Sequence, residues 1–442
     1  MNHSSRPPRV VIIGGGFAGL YATRALAGGD VDVTLIDRRN FHLFQPLLYQ
    51  VGTGSLSPAN IAAPLRSILR GQQNVSVLLG EVEDFDLDAH EVVLADGDRV
   101  GFDYLIVATG STHHYFGHPE WEQFAPGLKT VEDATEIRQR LLLAFEDAER
   151  SNDEAEARRL LTFVVVGGGP TGVEMAGAIA EIARDTLRHD YRHIRTDEAH
   201  ILLVEALDRI LPTYKPELSR RAEDDLRNLG VDVRTGTMVR SIDANGLEFA
   251  KGDVVERIES CTVIWAAGVQ ASSLGEKLAM AAGLERDRSG RLTVGSDLTL
   301  PGHPEVFVAG DLAHVEQDGK SLPAVAPVAM QEGRHAADVI AARLHGETAA
   351  AFRYKDRGSM ATIGRSAAVA DLGFVRLTGA IGWLAWLFIH IMQLAGFENR
   401  LLVATQWGWS YLTRNRAARL ITGRRRPQRP DIDGDLDAKN TR

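Results

Sequence analysis

The chain has one cysteine, Cys261, among 442 residues. A single thiol forms no internal disulfide and leaves no ligand set for a redox dithiol, an iron–sulfur cluster or a cysteine-built zinc site. A reducing, cytoplasmic setting fits. Net positive charge is also missing: the formal charge is -10, which gives no electrostatic reason to expect nucleic acid as a partner. There is no low-complexity segment, no nucleophile elbow and no P-loop. His113, His114 and His118 lie close together but lack the spacing and partners of a metal site, so no metal is expected. Asn74-Val75-Ser76 matches a glycosylation pattern that has no meaning in a cytoplasmic protein.

What is present reads as a globular protein of two or three domains, with 44% hydrophobic and 24% charged residues. Arg6 and Arg9 precede an apolar run, as in a signal peptide. That run holds Gly14, Gly15, Gly16 and Gly19 and has no cleavage site, so it is read as a first strand and turn. Residues 10–13 form a short β-branched run. Gly14-Gly15-Gly16-Phe17-Ala18-Gly19 follows, then a helical stretch, then a second apolar run that ends at Asp37. Gly14 serves a tight turn, Gly16 the approach of a pyrophosphate, and Gly19 close packing of helix on strand. The helix N-terminus attracts phosphate. Asp37, 18 residues past Gly19, is placed to accept from a ribose diol.

The pattern recurs at residues 163–166 and Gly167-Gly168-Gly169-Pro170-Thr171-Gly172-Val173-Glu174. The acid, Glu205, now lies 33 residues past the third glycine, with the excess in a polar stretch at 186–200. A carboxylate there favours a free ribose 2′-hydroxyl, so NADH is expected over NADPH, although Arg209 lies close enough in sequence to weaken that choice. These two units are the only internal repeat. Residues 132–159 read as a helical connector. Three further strands end in small residues: Ala108-Thr109-Gly110, Ala266-Ala267-Gly268, and Ala309-Gly310 before Asp311.

This order resembles the two-dinucleotide-binding-domain flavoproteins, the superfamily of glutathione reductase. It implies an α/β fold of two Rossmann-like domains, with the NAD domain inserted in the FAD domain: 1–125 and 290–350 for FAD, 126–289 for NADH, 351–430 for a C-terminal membrane-associating helical region, and 431–442 a disordered tail. With one cysteine, the disulfide and sulfide reductases are disfavoured. Within the superfamily the chain resembles the type II NADH dehydrogenases, the single-subunit NADH:quinone oxidoreductases. The resemblance runs from about residue 10 to 423 and is carried by residues 40–48, 167–174, 263–270, 306–311, 353–365 and Gly396-Phe397-Glu398-Asn399-Arg400.

The resemblance implies non-covalent FAD, hydride transfer from NADH, reduction of a membrane quinone, and no proton pumping. The FAD contacts it implies are Gly14, Gly16, Phe17, Ala18, Gly19, Asp37, Arg38, Gln45, Val82, Ala108, Thr109, Gly110, Asp311, Ala329 and Met330. Those for NADH are Gly167, Gly169, Pro170, Thr171, Gly172, Glu205, Ala267 and Gly268. It puts Glu174 beside the nicotinamide and flavin, where it is also a first-turn acid suited to the helix dipole. The family's Ala-Gln-x-Ala-x-Gln quinone motif reads Ala326-Pro327-Val328-Ala329-Met330-Gln331. Gln331 keeps the second glutamine, while Pro327 replaces the first and removes one hydrogen-bond partner. Pro327 suits the first position of a helix running to about residue 344.

Residues 379–397 carry no charge, yet His390, Gln393 and glycines near both ends argue against a span. Trp383, Trp386, Trp407 and Trp409 form an aromatic band of the interfacial kind. Arg400, Arg414, Arg416, Arg419, Arg424, Arg425, Arg426 and Arg429 follow with no acid among them, a stretch that anionic lipid would attract. The expectation is a monotopic protein on the cytoplasmic face of the cell membrane. A dimer through the C-terminal helices is the other use of that apolar surface. Two other functions stay open: a soluble NADH-dependent flavin reductase that serves a ferredoxin- or rubredoxin-like protein, and a redox-sensing NADH binder. The apolar C-terminus argues against the soluble reductase.

Overall fold

A computed structural model describes residues 6–394, 397–413, 416 and 418–422. The expected tail at 431–442, Gly396 and five of the eight arginines (Arg414, Arg424, Arg425, Arg426 and Arg429) fall outside them.

Strands β1 (Arg9–Ile13), β2 (Asp32–Asp37), β3 (Val75–Leu79) and β4 (Tyr104–Val107) begin a six-stranded sheet. The chain then leaves it to build a second sheet from β5 (Thr162–Val166), β6 (His200–Val204), β7 (Val231–Arg234) and β8 (Thr262–Trp265). It returns with β9 (Thr299–Leu300) and β10 (His303–Val308). The spatial orders are β9-β10-β4-β1-β2-β3 and β7-β6-β5-β8. Both sheets are parallel except for the β9–β10 pair. Their strands are nearly all apolar because both faces are buried: helices pack on one, and three-stranded antiparallel sheets at residues 82–101 and 238–259 join the cores from the other. The nucleotide-binding insertion is therefore real: the second sheet sits wholly between β4 and β10. Ser111–His113 pairs antiparallel with Val269–Ala271 where the chain passes between the two halves.

Helix α1 (Phe17–Ala25) follows the first glycine loop, and α2 (Leu48–Gly52) packs against the later helices at residues 131–150 and 170–181. The connector is two helices, α3 (Val131–Arg150) and Glu154–Leu160, where one was expected. Asp153 makes the break by accepting from the Ala155 N–H at 2.9 Å, which starts a new helix. Helix α4 (Pro170–Glu181) follows the second glycine loop and ends in a wider turn at Ile182–Thr186. Helix α5 (Pro216–Asn228) covers the second sheet. Helix α6 (Ala326–Leu344) packs along α1. A Cβ on Gly333 would lie 2.1 Å from the Ala18 carbonyl oxygen, so the two helices touch through backbone.

The C-terminal region is not only helical. A three-stranded antiparallel sheet, β11 (Ser359–Gly364), β12 (Ala367–Asp371) and β13 (Arg376–Thr378), comes first and lies against α4 and α5. Then come α7 (Gly379–Gln393) and α8 (Phe397–Thr413). Among the described residues no helix is long and apolar enough to cross a membrane.

Candidate active site

The two glycine loops are built alike. Gly14 and Gly167 turn the chain at φ +99° and +109°, a region that favours glycine. A Cβ on Gly19 or Gly172 would lie 1.8 Å from the carbonyl of that first glycine. Gly16 and Gly169 have ordinary φ values near -70°, and a Cβ there would meet nothing within 4 Å. At these two positions neither backbone strain nor a protein neighbour calls for glycine; a ligand lying against the backbone would. In the first loop the Gly15 N–H donates to Asp37 Oδ2 at 2.5 Å and the Arg39 N–H to Oδ1 at 2.7 Å. In the second, Gly168 and Leu207 donate to the two oxygens of Glu205 at the same distances, 2.5 and 2.7 Å. The extra residues before β6 therefore do not displace Glu205 from its loop. Burial raises the Asp37 pKa against these N–H donors. Arg209 donates to the Pro212 carbonyl at 2.9 Å.

A cleft of about 720 Å³ opens over the first loop, within the ~300–1,000 Å³ of ligand pockets. It brings together Gly14, Gly16, Phe17, Ala18, Asp37, Arg38, Gln45, Val82, Ala108, Thr109, Gly110, Asp311 and Ala329 from the expected FAD set, and Thr171 from the expected NADH set. The size, the bare Gly16 backbone and the carboxylate at one end fit an adenine dinucleotide. Met330, Pro327 and Gln331 are not on this lining. Met330 is buried in the core. Pro327 occupies the second position of α6, one later than expected, where its missing N–H is still unneeded. Gln331 spends its amide on the Lys355 backbone, donating and accepting at 3.0 Å each. The N-terminus of α6 does reach the cleft through Ala324 and Ala326.

Ser111, Lys129 and Glu332 were not singled out from the sequence. Asp311 accepts from Ser111 Oγ at 2.5 Å and lies 3.5 Å from Lys129 Nζ. Glu332, 1% exposed, accepts from the Gly310 N–H at 2.6 Å, and burial raises its pKa to about 8. An acid on the buried face of α6 was a signal in the sequence; nothing in the loop around Lys129 was.

A second cavity lies one helical turn away. Thr171 lines the cleft and Glu174, three residues on, lines the cavity. Pro46 and Tyr49 repeat that relation on the segment leading into α2. Trp383, Trp386, Trp407 and Arg416 close the far side. Glu174 lines this half-open cavity, and burial raises its pKa to about 8, against one long contact of 3.5 Å from the Thr362 N–H. Burial holds His390 neutral, with its pKa lowered to about 4. Ring centroids run from Phe17 to Phe44 at 5.8 Å, to His390 at 6.2 Å and to Trp386 at 4.4 Å, so aromatic rings line the way from cleft to cavity.

This inward use of tryptophan departs from the expected interfacial band. Trp386 is 2% exposed, and Trp383 and Trp407 are half-buried; only Trp409 is well exposed. The outer face carries Ile381, Leu384, Phe388, Met392, Leu401 and Leu402 instead. The basic stretch is also partly spent inside. Arg416 is buried and pairs with Glu181 at 2.9 Å, and Arg419 pairs with Asp190.

The fold and the paired loops define a pyridine-nucleotide-dependent flavoprotein. Residues 8–333 match the pyridine nucleotide-disulphide oxidoreductase family, and residues 357–415 match the NDH2 C-terminal domain. The type II NADH:quinone oxidoreductase Ndh of Mycobacterium tuberculosis is 46% identical over 429 residues, covering 95% of this chain and 92% of that protein. NdhA of the same organism is 48% identical over 423 residues, covering 94% and 89%. The structure of NDH2 from Plasmodium falciparum in complex with NADH shares the fold, with TM-score 0.84, 22% identity and coverage of 95% and 100%. The chain belongs to the type II NADH:quinone oxidoreductase family.

Proposed function

We propose that the chain oxidises NADH and reduces a membrane quinone, using non-covalent FAD held in the cleft over the first glycine loop. Bound FAD supplies a carrier that takes a hydride from NADH and gives two electrons to quinone. Asp37 would hold the FAD ribose, the Gly16 backbone its pyrophosphate, and Asp311, fixed by Lys129 and Ser111, its ribityl chain. Gly169 and Glu205 would do the same for NADH pyrophosphate and ribose. With Arg209 turned to the Pro212 carbonyl, a 2′-phosphate would meet the Glu205 carboxylate, so NADH is preferred. The N-terminus of α6 aims its positive dipole end at the cleft, where it would stabilise developing negative charge.

The observation that carries the quinone assignment is the cavity between Glu174 and α7. It lies one helical turn from the cleft and is walled by the C-terminal helices. Quinone reduction consumes protons, and a carboxyl with pKa about 8 holds one at neutral pH. Glu174 would supply it. Pro327 and Gln331 are not assigned to the quinone.

The lipid-facing surface would be the exposed apolar side of α7 and α8, on the cytoplasmic leaflet. At 15 residues, α7 spans about 22 Å, short of a ~30 Å hydrocarbon core, so it would lie along the interface. A soluble reductase has no use for that face. A dimer through the same face is the competing arrangement, recognised by a constant doubled mass after detergent removal.

NADH oxidation by the FAD-loaded protein, in lipid, with and without a short-chain quinone, tests the assignment. Strong stimulation by quinone with NADPH a much poorer donor is expected. Flavin reduction without quinone stimulation would overturn the acceptor and point to a protein instead.

A further inference from the structure

Among the described residues that line the cavity beside Glu174, Trp386 carries a buried hydrogen-bond donor that the protein leaves unused. Trp386 is 2% exposed, yet its indole Nε1 has no hydrogen-bond partner. Leaving such a donor empty is costly, and native structures rarely do so without reason. Its ring is fixed from both sides, stacked on His390 at 4.4 Å and packed at 5.3 Å against Trp407. The neighbouring indole is already spent: Trp407 Nε1 donates to Gln50 Oε1 at 2.7 Å. Arg416 is committed to Glu181 and to the Thr53 carbonyl. Gln331 is committed to the Lys355 backbone, and Pro327 has no N–H.

We propose that the Trp386 indole N–H, on the membrane-facing helix α7, donates the hydrogen bond that holds a quinone carbonyl in this cavity. A quinone carbonyl only accepts, so a lone N–H donor matches it. The flat headgroup suits a pocket walled by Trp383, Trp386 and Trp407. Phe44 and His390 continue the ring path to Phe17 at the cleft. Trp386 thus restores, from the C-terminal domain, a donor that proline removes from α6. The assignment rests on the quinone-reductase reading above.

The test is W386F in the FAD-loaded, full-length protein with lipid and a short-chain quinone. Phenylalanine keeps a ring and deletes the N–H. The expected result is a KM for quinone raised about tenfold, with stopped-flow flavin reduction by NADH and FAD content unchanged. W409F, an exposed indole that does not line the cavity, should not reproduce that selective loss. A quinone KM within twofold of wild type overturns the assignment of Trp386 and leaves the function standing. Absence of quinone stimulation in the wild type overturns both. Should W386F lose FAD, the indole N–H vibrational spectrum of the wild type decides: quinone binding shifts a free N–H to its hydrogen-bonded frequency, and no shift overturns the assignment.

Discussion

Arg416 and Glu181 form a buried ion pair at 2.9 Å across 235 residues of sequence. It ties the segment after α8 to the end of the second Rossmann helix. Burial lowers the arginine pKa and raises that of the glutamate, while each partner pulls the other back. Arg416 also donates to the Thr53 carbonyl at 3.2 Å.

Removing one partner leaves the other charged and uncompensated. R416M is expected to cost about 3–5 kcal/mol and to expose the C-terminal segment to protease. R416M/E181L should recover much of the loss. Denaturant melts and a proteolysis time course measure both. A single variant as stable as wild type would show that the pair does not clamp the C-terminus.

Glu174 has a folded pKa of about 8 against an ordinary 4.5. A carboxyl raised in this way binds a proton that the unfolded chain releases. Its contribution to stability therefore declines from pH 4.5 upward and levels off above pH 8. E174Q should lack that decline, so thermal melts of the two proteins should diverge as pH rises. If the carboxyl supplies a proton, E174Q slows quinone turnover by about 10²-fold and removes the activity limb near pH 8. NADH reduction of the flavin should persist. A variant with wild-type turnover and an unchanged pH profile would remove Glu174 from the proton path.

Glu205 holds its loop through Gly168 and Leu207. E205Q keeps an acceptor for the loop and removes the charge that repels a 2′-phosphate. The ratio of kcat/KM for NADH over NADPH should fall at least about tenfold, by the worth of one charged contact. An unchanged ratio would place discrimination elsewhere.

Gly177 is where β11 crosses α4: an added Cβ would lie 1.7 Å from the Ile363 carbonyl oxygen. G177A must push strand and helix apart, at about 1–3 kcal/mol or more. The displacement falls beside Thr362 and Glu174, so quinone turnover should drop more than flavin reduction. Equal loss of both would mean that the whole fold, not this seam, has given way.

Ile381, Leu384 and Phe388 are 66%, 58% and 64% exposed along one side of α7. Replacing all three by serine should release the protein from vesicles without loss of FAD. Vesicle flotation reads the result, and undiminished binding would move the lipid contact elsewhere.

Local chemistry made the nucleotide half of the protein legible. Glycines at turn positions, a β-branched run before them and an acid at the next strand end are tied by short-range sterics and hydrogen bonds. Asp37 and Glu205 therefore stand out in the sequence alone. The order of those units gave the insertion of one domain in the other, and an uncharged run marked the apolar C-terminal region. Tertiary structure alone decided which way its side chains point. Trp383, Trp386 and Trp407 turn toward Glu174, and Arg416 turns in to Glu181, because α7 folds back over a β-sheet with no repeat signature of its own and α8 packs on α7 and on residues 58–61. Gln331 likewise goes to the Lys355 backbone, whose position depends on a chain path 24 residues later. A hydrogen bond between distant segments leaves no periodicity in the sequence, so the cavity and its unused donor emerged only from the packed chain.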